Sequence, residues 1–294
     1  MRGVELRFEP RGRFLALRPG RAEPRFAGLW ATGDLAPLAR PSIAIVGTRA
    51  ASAYGRSQAR SLAAELAGLG LCVLSGLALG IDAAAHEGAL DVGAPTIGVL
   101  GSGHHCFYPP RNAALAARML AAGGAVLSPF PPDEPARRGQ FLARNGVVVA
   151  LADALLVVEA PLRSGALNTA SWAAGEIPVL ALPCDVDRRS GAGSLALLRD
   201  GATLVRDAAD IVEAMGLLRP ETPPAAPASG EPTPPADALL ALLCSGASTL
   251  EELVAASGLS TAEVLGRLNL LELCGAIERR DAGYALAHRP RKAR

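Results

Sequence analysis

From Ser42 onward the chain repeats one unit: a short apolar run, then a stretch with helical spacing. The runs are IAIVG, LCVLSG, PTIGVLGSG, AVLS, ALLVVEA, PVLALP and ATLV. Between them lie a helix over roughly Tyr54 to Leu69, with Leu62, Leu66 and Leu69 on one face, and helices in GIDAAAHEGALDVG, NAALAARML, FLARNGVVVALA, SGALNTASWAAG and SLALLRDG. The runs are apolar throughout rather than alternating, which is the mark of strands covered on both faces. Strands that alternate with helices in this way make a parallel sheet, so the expectation over 41–218 is a doubly wound α/β domain.

The 294 residues leave room for more than this domain. The boundary is RPETPPAAPASGEPTPP, residues 219–235, whose proline and small residues cannot bury enough surface to fold. Beyond this linker, 236–288 reads as a small winged helix. ADALLALLCSG is one helix, and STLEELVAASGLSTAEVLGRLNLLELCG is a helix-turn-helix. Its expected capping boxes are Ser248 with Glu251 and Ser260 with Glu263, and Gly275 is the expected C-cap. AIERRDAGYALAH follows as a hairpin turning at Asp281 to Gly283. The second helix of the pair carries Glu263, Arg267 and Glu272, so it is not basic, and a protein-contact or regulatory role fits it better than DNA reading. Residues 289–294 form a basic tail. Before the α/β domain, 1–40 reads as an extension of short strands or irregular chain, in which VELRF and FLALR are expected to pair.

Net charge is +1, so no global field draws the chain to a polyanion, and any such site must be a local patch. Five cysteines are scattered without a CxxC, which reads as reduced thiols and a cytoplasmic protein. No signal-peptide core and no apolar run of membrane-spanning length occurs, so no membrane association is expected.

Ligands of doubly wound sheets bind beyond the carboxyl ends of the strands. Those ends read GTRAAS, SGLALG, GSGHHCFYPP, SPFPP, EAPLRSG and PCDVDRRSGAG. Glycine-flanked backbone N–H groups beside hydroxyls and guanidiniums make anion sites. Gly47, Thr48 and Arg49, then Ser75 and Gly76, then Gly101, Ser102 and Gly103, then Arg163, Ser164 and Gly165 supply four such clusters, and a phosphate pocket is expected where they converge. The spacing fits neither GxGxxG nor GxxxxGK[ST], which argues against NAD and ATP. Asp82 and His86, four apart, allow two readings: an acid/base pair, or a capping carboxylate with a histidine bonded to it. Glu159, at the fifth strand end, is either a base or ribose contact or a partner of Arg163 or Arg49. Arg144 and Asn145 suit phosphate and base-edge contacts, or a solvated helix face. His104 and His105 are adjacent, so they point apart, and no metal is expected there. Phe107, Tyr108 and Phe141 are the stacking candidates in a chain with only 4% aromatic residues. No Ser/His/Asp order or GxSxG elbow is present, so no enzyme is expected.

The order of these motifs resembles the DprA/Smf family of DNA-processing proteins: AIVGTR, YG, SGLALGID..AH.GAL, GSG....YPP.N, F..RN, VVEA...SG.L.TA and the late GA at Gly201. The resemblance implies an extended Rossmann domain that binds single-stranded DNA, self-associates as a homodimer and loads the RecA recombinase onto incoming DNA during natural transformation. It implies no cofactor. It places the phosphate-contacting motifs on Gly47, Thr48 and Arg49; on Ser75, Gly76, Gly80 and Asp82; on Gly101 and Gly103; on Arg144 and Asn145; and on Ser164, Gly165 and Thr169. The sequence departs from the family pattern at Leu79 and Gly146, where arginine is usual, and at Pro129, Cys184 and Leu195. The expected consequence is weaker binding of single strands, or reliance on Arg49, Arg137, Arg138 and Arg163, with arginine restored at 79 and 146 tightening it. The alternatives are a nucleoside-monophosphate hydrolase using Glu159, and a divergent paralogue acting through protein partners.

Overall fold

Alternate residues of a strand face opposite sides of a sheet, and the third strand of this protein divides its side chains between two cores on that rule. Ala44 and Val46 join one apolar cluster, Ile43 and Ile45 the other, and all four are buried. The computed structural model describes residues 5–17 and 26–217, and, in a second unit, 239, 242–243, 249–273, 277–280 and 283–286. The linker 219–235 and the tail 289–294 lie outside the described residues.

The first unit is built on a nine-stranded sheet. Its strands are β1 (Arg7–Pro10), β2 (Gly28–Gly33), β3 (Ser42–Val46), β4 (Cys72–Ser75), β5 (Thr96–Val99), β6 (Ala125–Ser128), β7 (Ala154–Val157), β8 (Val179–Ala181) and β9 (Thr203–Leu204), in the order β1-β2-β6-β5-β4-β3-β7-β8-β9. From β6 to β9 all neighbours are parallel, as the unbroken apolar runs require. The helices are α1 (Arg11–Leu17), α2 (Ala53–Gly68), α3 (Ile81–Asp91), α4 (Ala113–Ala121), α5 (Arg138–Leu151), α6 (Gly165–Ala173), α7 (Ala192–Arg199) and α8 (Ala208–Ala214). Leu62 and Leu66 of α2, Ala84, Ala85 and Ala89 of α3 and Ile211 of α8 fill the core on one face of the sheet. Val147, Val148 and Leu151 of α5 and Ala166, Ala170 and Ala173 of α6 fill it on the other.

The chain reverses direction of travel across the sheet between β3 and β7. The helix after β3 covers one face and the helix after β7 the other, so the two strand ends part and leave a crevice.

The N-terminal segment differs from its sequence reading. FLALR is not a strand: most of it lies in α1, where Phe14 is buried and packs edge-on against Phe26 at 5.6 Å. The partner of β1 is β2, GLWATG, which pairs antiparallel with both β1 and β6 and so extends the sheet past its parallel edge. Glycine at both ends and burial of four of its six residues, BBiBBi, leave no alternation from which a strand could be read.

In the second unit, α9 (Leu250–Ser257) and α10 (Thr261–Leu273) precede a hairpin of β10 (Ile277–Arg280) and β11 (Gly283–Leu286). Leu239, Leu253, Val264, Leu268, Ile277 and Tyr284 form its core. The first capping box is one residue later than the sequence reading placed it. Thr249 caps α9, accepting from the Glu252 N–H at 3.3 Å, while the Glu252 carboxylate accepts from the Thr249 N–H at 3.1 Å. Gly258 ends α9 in the left-handed conformation at φ 69°. Gly275 and the Asp281–Ala282 turn lie outside the described residues, as does the Glu263 side chain.

Candidate nucleic-acid interface

The crevice between β3 and β7 has a volume of about 840 Å³. Gly47, Thr48 and Arg49 from the β3 end, Asp82 from α3, Arg138, Arg144 and Asn145 from α5, and Arg163, Ser164, Gly165 and Thr169 from the β7–α6 turn line it. Of the residues the sequence singles out, the fold therefore brings together these eleven and the two stacking candidates Tyr108 and Phe141. Gly76 joins Arg49 and Arg144 in a smaller adjoining cleft.

The walls differ in charge state and exposure. Arg49 and Arg163 are exposed, as is Arg138, and among the described residues none of the three forms an ion pair. Arg49 instead lies 5.0 Å over the Phe141 ring, which is tilted against Tyr108 at 5.7 Å. Tyr108 is 45% exposed, so the two rings present an aromatic ledge beside a guanidinium. Phe107 is not part of it; it packs with Leu77, Leu115 and Met119 in a third apolar cluster. Arg137 is turned away, 3.5 Å from Glu134.

Asn145 donates to the Gly165 carbonyl at 3.2 Å and to Asn168 Oδ1 at 3.1 Å, which ties α5 to the first turn of α6. Thr169 donates back to Gly165 O at 3.1 Å, and Ser164 caps α6 by accepting from the Leu167 N–H at 3.3 Å. These side chains hold the wall in place.

The SGLALG turn works differently from its sequence reading, in which its N–H groups serve a phosphate. Asp82 takes two of them: its Oδ2 accepts from the Gly76 N–H at 3.1 Å and the Ala78 N–H at 3.4 Å. The first helical N–H of α3, on Ile81, donates to Thr48 O at 3.3 Å. The turn is therefore closed on itself and on the GTR loop. Leu77 sits in it at φ +54°, fully buried in the third cluster, and Asn112 donates to the Leu77 and Ala78 carbonyls at 2.8 and 3.0 Å. That contact explains the asparagine of the YPP.N motif. Burial pushes the Asp82 carboxyl up, opposed chiefly by nearby Arg144. Burial pulls the Arg144 guanidinium down to about 10, so it stays charged at neutral pH.

Four candidate groups stand outside the crevice. Ser75 donates to Ile45 O at 2.6 Å and is buried. Gly101, Ser102 and Gly103 pack rather than bind: Gly101 lies against the Phe141 ring, Ser102 O accepts from Ser128 at 2.8 Å, and the Gly103 N–H donates to Glu134 O at 2.8 Å. Gly80 fits under the GTR loop. Glu159 faces α2, where its Oε2 accepts from the Ser52 N–H and hydroxyl at 2.9 and 3.0 Å; it pairs with neither Arg163 nor Arg49.

His86 is not bonded to Asp82. Its Nδ1 meets Thr96 Oγ1 at 2.8 Å, and Thr96 donates onward to Val73 O at 2.7 Å, so Nδ1 carries the proton. Burial, with Arg144 adding to it, lowers this histidine to about 3. A depressed histidine contributes stability that is present above the unfolded value near 6.5 and is lost as pH falls below it. Stability is expected to drop by about 1.4 kcal/mol per pH unit from this residue on going below about pH 6.5. Denaturant titrations across that range check it, and His86→Gln should flatten the slope.

Comparison with known proteins identifies the family. Residues 21–216 match the model of DNA recombination-mediator protein A, and residues 223–283 match the DprA winged helix domain. A DprA sequence of Mycobacterium tuberculosis is 43% identical over 266 residues, covering 88% of this chain and 68% of that protein. The X-ray structure of DNA processing protein A from Streptococcus pneumoniae superposes with a TM-score of 0.62 at 32% identity, covering 72% of this chain and 74% of that one. DNA processing protein A of Helicobacter pylori, whose structure concerns its single-stranded DNA binding mode, does so at 0.61 with 29% identity, covering 72% and 95%. A mostly parallel sheet followed in sequence by a winged-helix domain, the two family matches and 43% identity over most of the length have one meaning: the chain belongs to the DNA recombination-mediator protein A family, DprA/Smf.

Proposed function

We propose that this protein binds single-stranded DNA along the crevice between β3 and β7 and acts as a recombination mediator without catalysis of its own. It works in the cytoplasm as a homodimer and hands the bound strand to RecA. The observation that carries this reading is the trio Arg49, Arg138 and Arg163. Three exposed guanidiniums without carboxylate partners among the described residues line one open crevice, beside an aromatic ledge. Phosphates neutralise such charges with release of counterions, and the ring faces accept bases of any sequence. The single-stranded DNA binding of the Helicobacter pylori relative supports the same ligand here.

Fluorescence anisotropy of a labelled oligonucleotide, titrated at several salt concentrations, tests it. Salt-dependent binding that weakens when the three arginines are replaced supports the reading. Binding unaffected by all three replacements sinks it.

The two missing arginines of the family pattern are not equivalent in this fold. Leu79 is half-buried in the smaller cleft beside Arg49 and Tyr108. Gly146 lies against the Trp172 ring, and a Cβ there would come within 3.2 Å of it. Leu79→Arg is expected to tighten oligonucleotide binding several-fold and steepen the salt slope by about one. Gly146→Arg is expected to gain nothing and to lower the melting temperature by displacing Trp172. Equal gains from both would contradict this placement.

A further inference from the structure

We infer that Arg144 is a positioning residue and not a phosphate contact: with Asp82 it forms a buried strut that fixes the SGLALG turn and with it the floor of the crevice. The inference rests on the reading of that crevice as the oligonucleotide site. Arg144 reaches from α5 on one face of the sheet, and its Nη1 donates to the carbonyls of Gly76 and Val99, at the ends of the neighbouring strands β4 and β5. Asp82 reaches from α3 and takes the N–H of the same Gly76. Residue 76 is thus gripped through its carbonyl by the guanidinium and through its amide by the Asp82 carboxyl group. A Cβ at Gly76 would lie 2.5 Å from the guanidinium carbon, so the grip admits no side chain there.

The two charges are 4% and 5% exposed, unlike Arg49 on the rim. A guanidinium this deeply buried, with Nη1 committed to two carbonyls, is closed to a phosphate and holds no counterion that DNA could release. Lysine would keep the charge, but its tetrahedral ammonium does not reproduce the coplanar pair of N–H bonds with which Nη1 meets the two carbonyls.

The experiment compares Arg144→Lys and Arg144→Met with Arg49→Ala by oligonucleotide anisotropy across salt concentrations, and follows amide hydrogen exchange in the DNA-free proteins. Arg144→Lys is expected to weaken binding by about tenfold, from hydrogen bonds lost to a charged group. Its plot of log affinity against log salt should keep the wild-type slope, whereas Arg49→Ala loses about one. The Gly76 and Ala78 amides should exchange faster in both Arg144 variants. Wild-type affinity in Arg144→Lys, or a slope reduced by about one in Arg144→Met with unchanged exchange, would overturn the strut. If the wild-type protein binds no oligonucleotide at low salt, the crevice reading fails, and amide exchange alone decides: faster exchange in Arg144→Lys upholds the strut, and wild-type exchange overturns it.

Discussion

Arg49→Ala is expected to weaken oligonucleotide binding by at least about tenfold at moderate salt and to lower the salt slope by about one. Two contributions are lost together. The guanidinium is exposed at the mouth of the crevice, so its charge is available to a phosphate. It also lies over the face of Phe141, 5.0 Å from the ring centre, which holds it at the crevice without a carboxylate to compete for it. Arg49→Lys should therefore recover the slope but not the full affinity, because an ammonium stacks poorly on a ring. An Arg49→Ala protein with wild-type affinity and slope would move the DNA away from this crevice. Equilibrium anisotropy at four or more salt concentrations is the measurement.

Gly80→Ala carries the largest expected cost in stability. Gly80 precedes α3 at φ +82° and ψ −122°, a conformation that alanine rarely takes. Its missing Cβ would also run into the backbone carbonyl of Thr48 and lie 2.7 Å from that of Arg49. Both groups are main chain, so neither can swing aside. Backbone strain and overpacking together are expected to cost about 3 kcal/mol, or roughly 6–12 °C in melting temperature for a unit of this size. Because the obstacle is the GTR loop itself, oligonucleotide affinity should fall as well. Gly68→Ala is the control. Gly68 ends α2 with open space around it, and alanine there should stabilise slightly. A Gly80→Ala protein that melts like the wild type would show that the two loops do not press on each other.

The parallel sheet could be read from the sequence because each strand is a short apolar run with a turn at its end. Covered on both faces, such runs carry no charge and at most one small hydroxyl at an end, and IAIV, CVLS, TIGV, AVLS and ALLV all became strands. The antiparallel margin could not, since β2 has a glycine at each end and no alternation, and α1 has only one buried residue. Of the candidate site, the exposed side chains that follow strand ends were legible: Arg49 and Arg163 do meet at one crevice, and the buried α5 pair Arg144 and Asn145 lines it too. What sequence could not show was which backbone groups were already taken. A glycine-rich turn looks the same whether its N–H groups face a ligand or, as here, a carboxylate four residues beyond Ala78. Likewise the four-residue spacing of Asp82 and His86 shows a shared helix face, but not that Thr96 on the adjacent strand would take the imidazole.

The pairing of β3 with β7 has a consequence for how the site comes into being. Ser42 and Asp153, which close the far end of that pair with an N–H to carboxylate bond of 2.7 Å, are 111 residues apart. The crevice lies at the other end of the same pair, so no shorter stretch of chain can contain it. A nascent chain emerging from the ribosome can build β3 to β6 in order and bury much of its apolar surface, yet it has only one bank of the groove. The second bank arrives with β7 and α6. Synthesis therefore delivers a sheet first and a complete strand-binding groove afterwards, and chains truncated before Ala154, which lack Arg163 and the α6 wall, should fold in part and hold DNA more weakly.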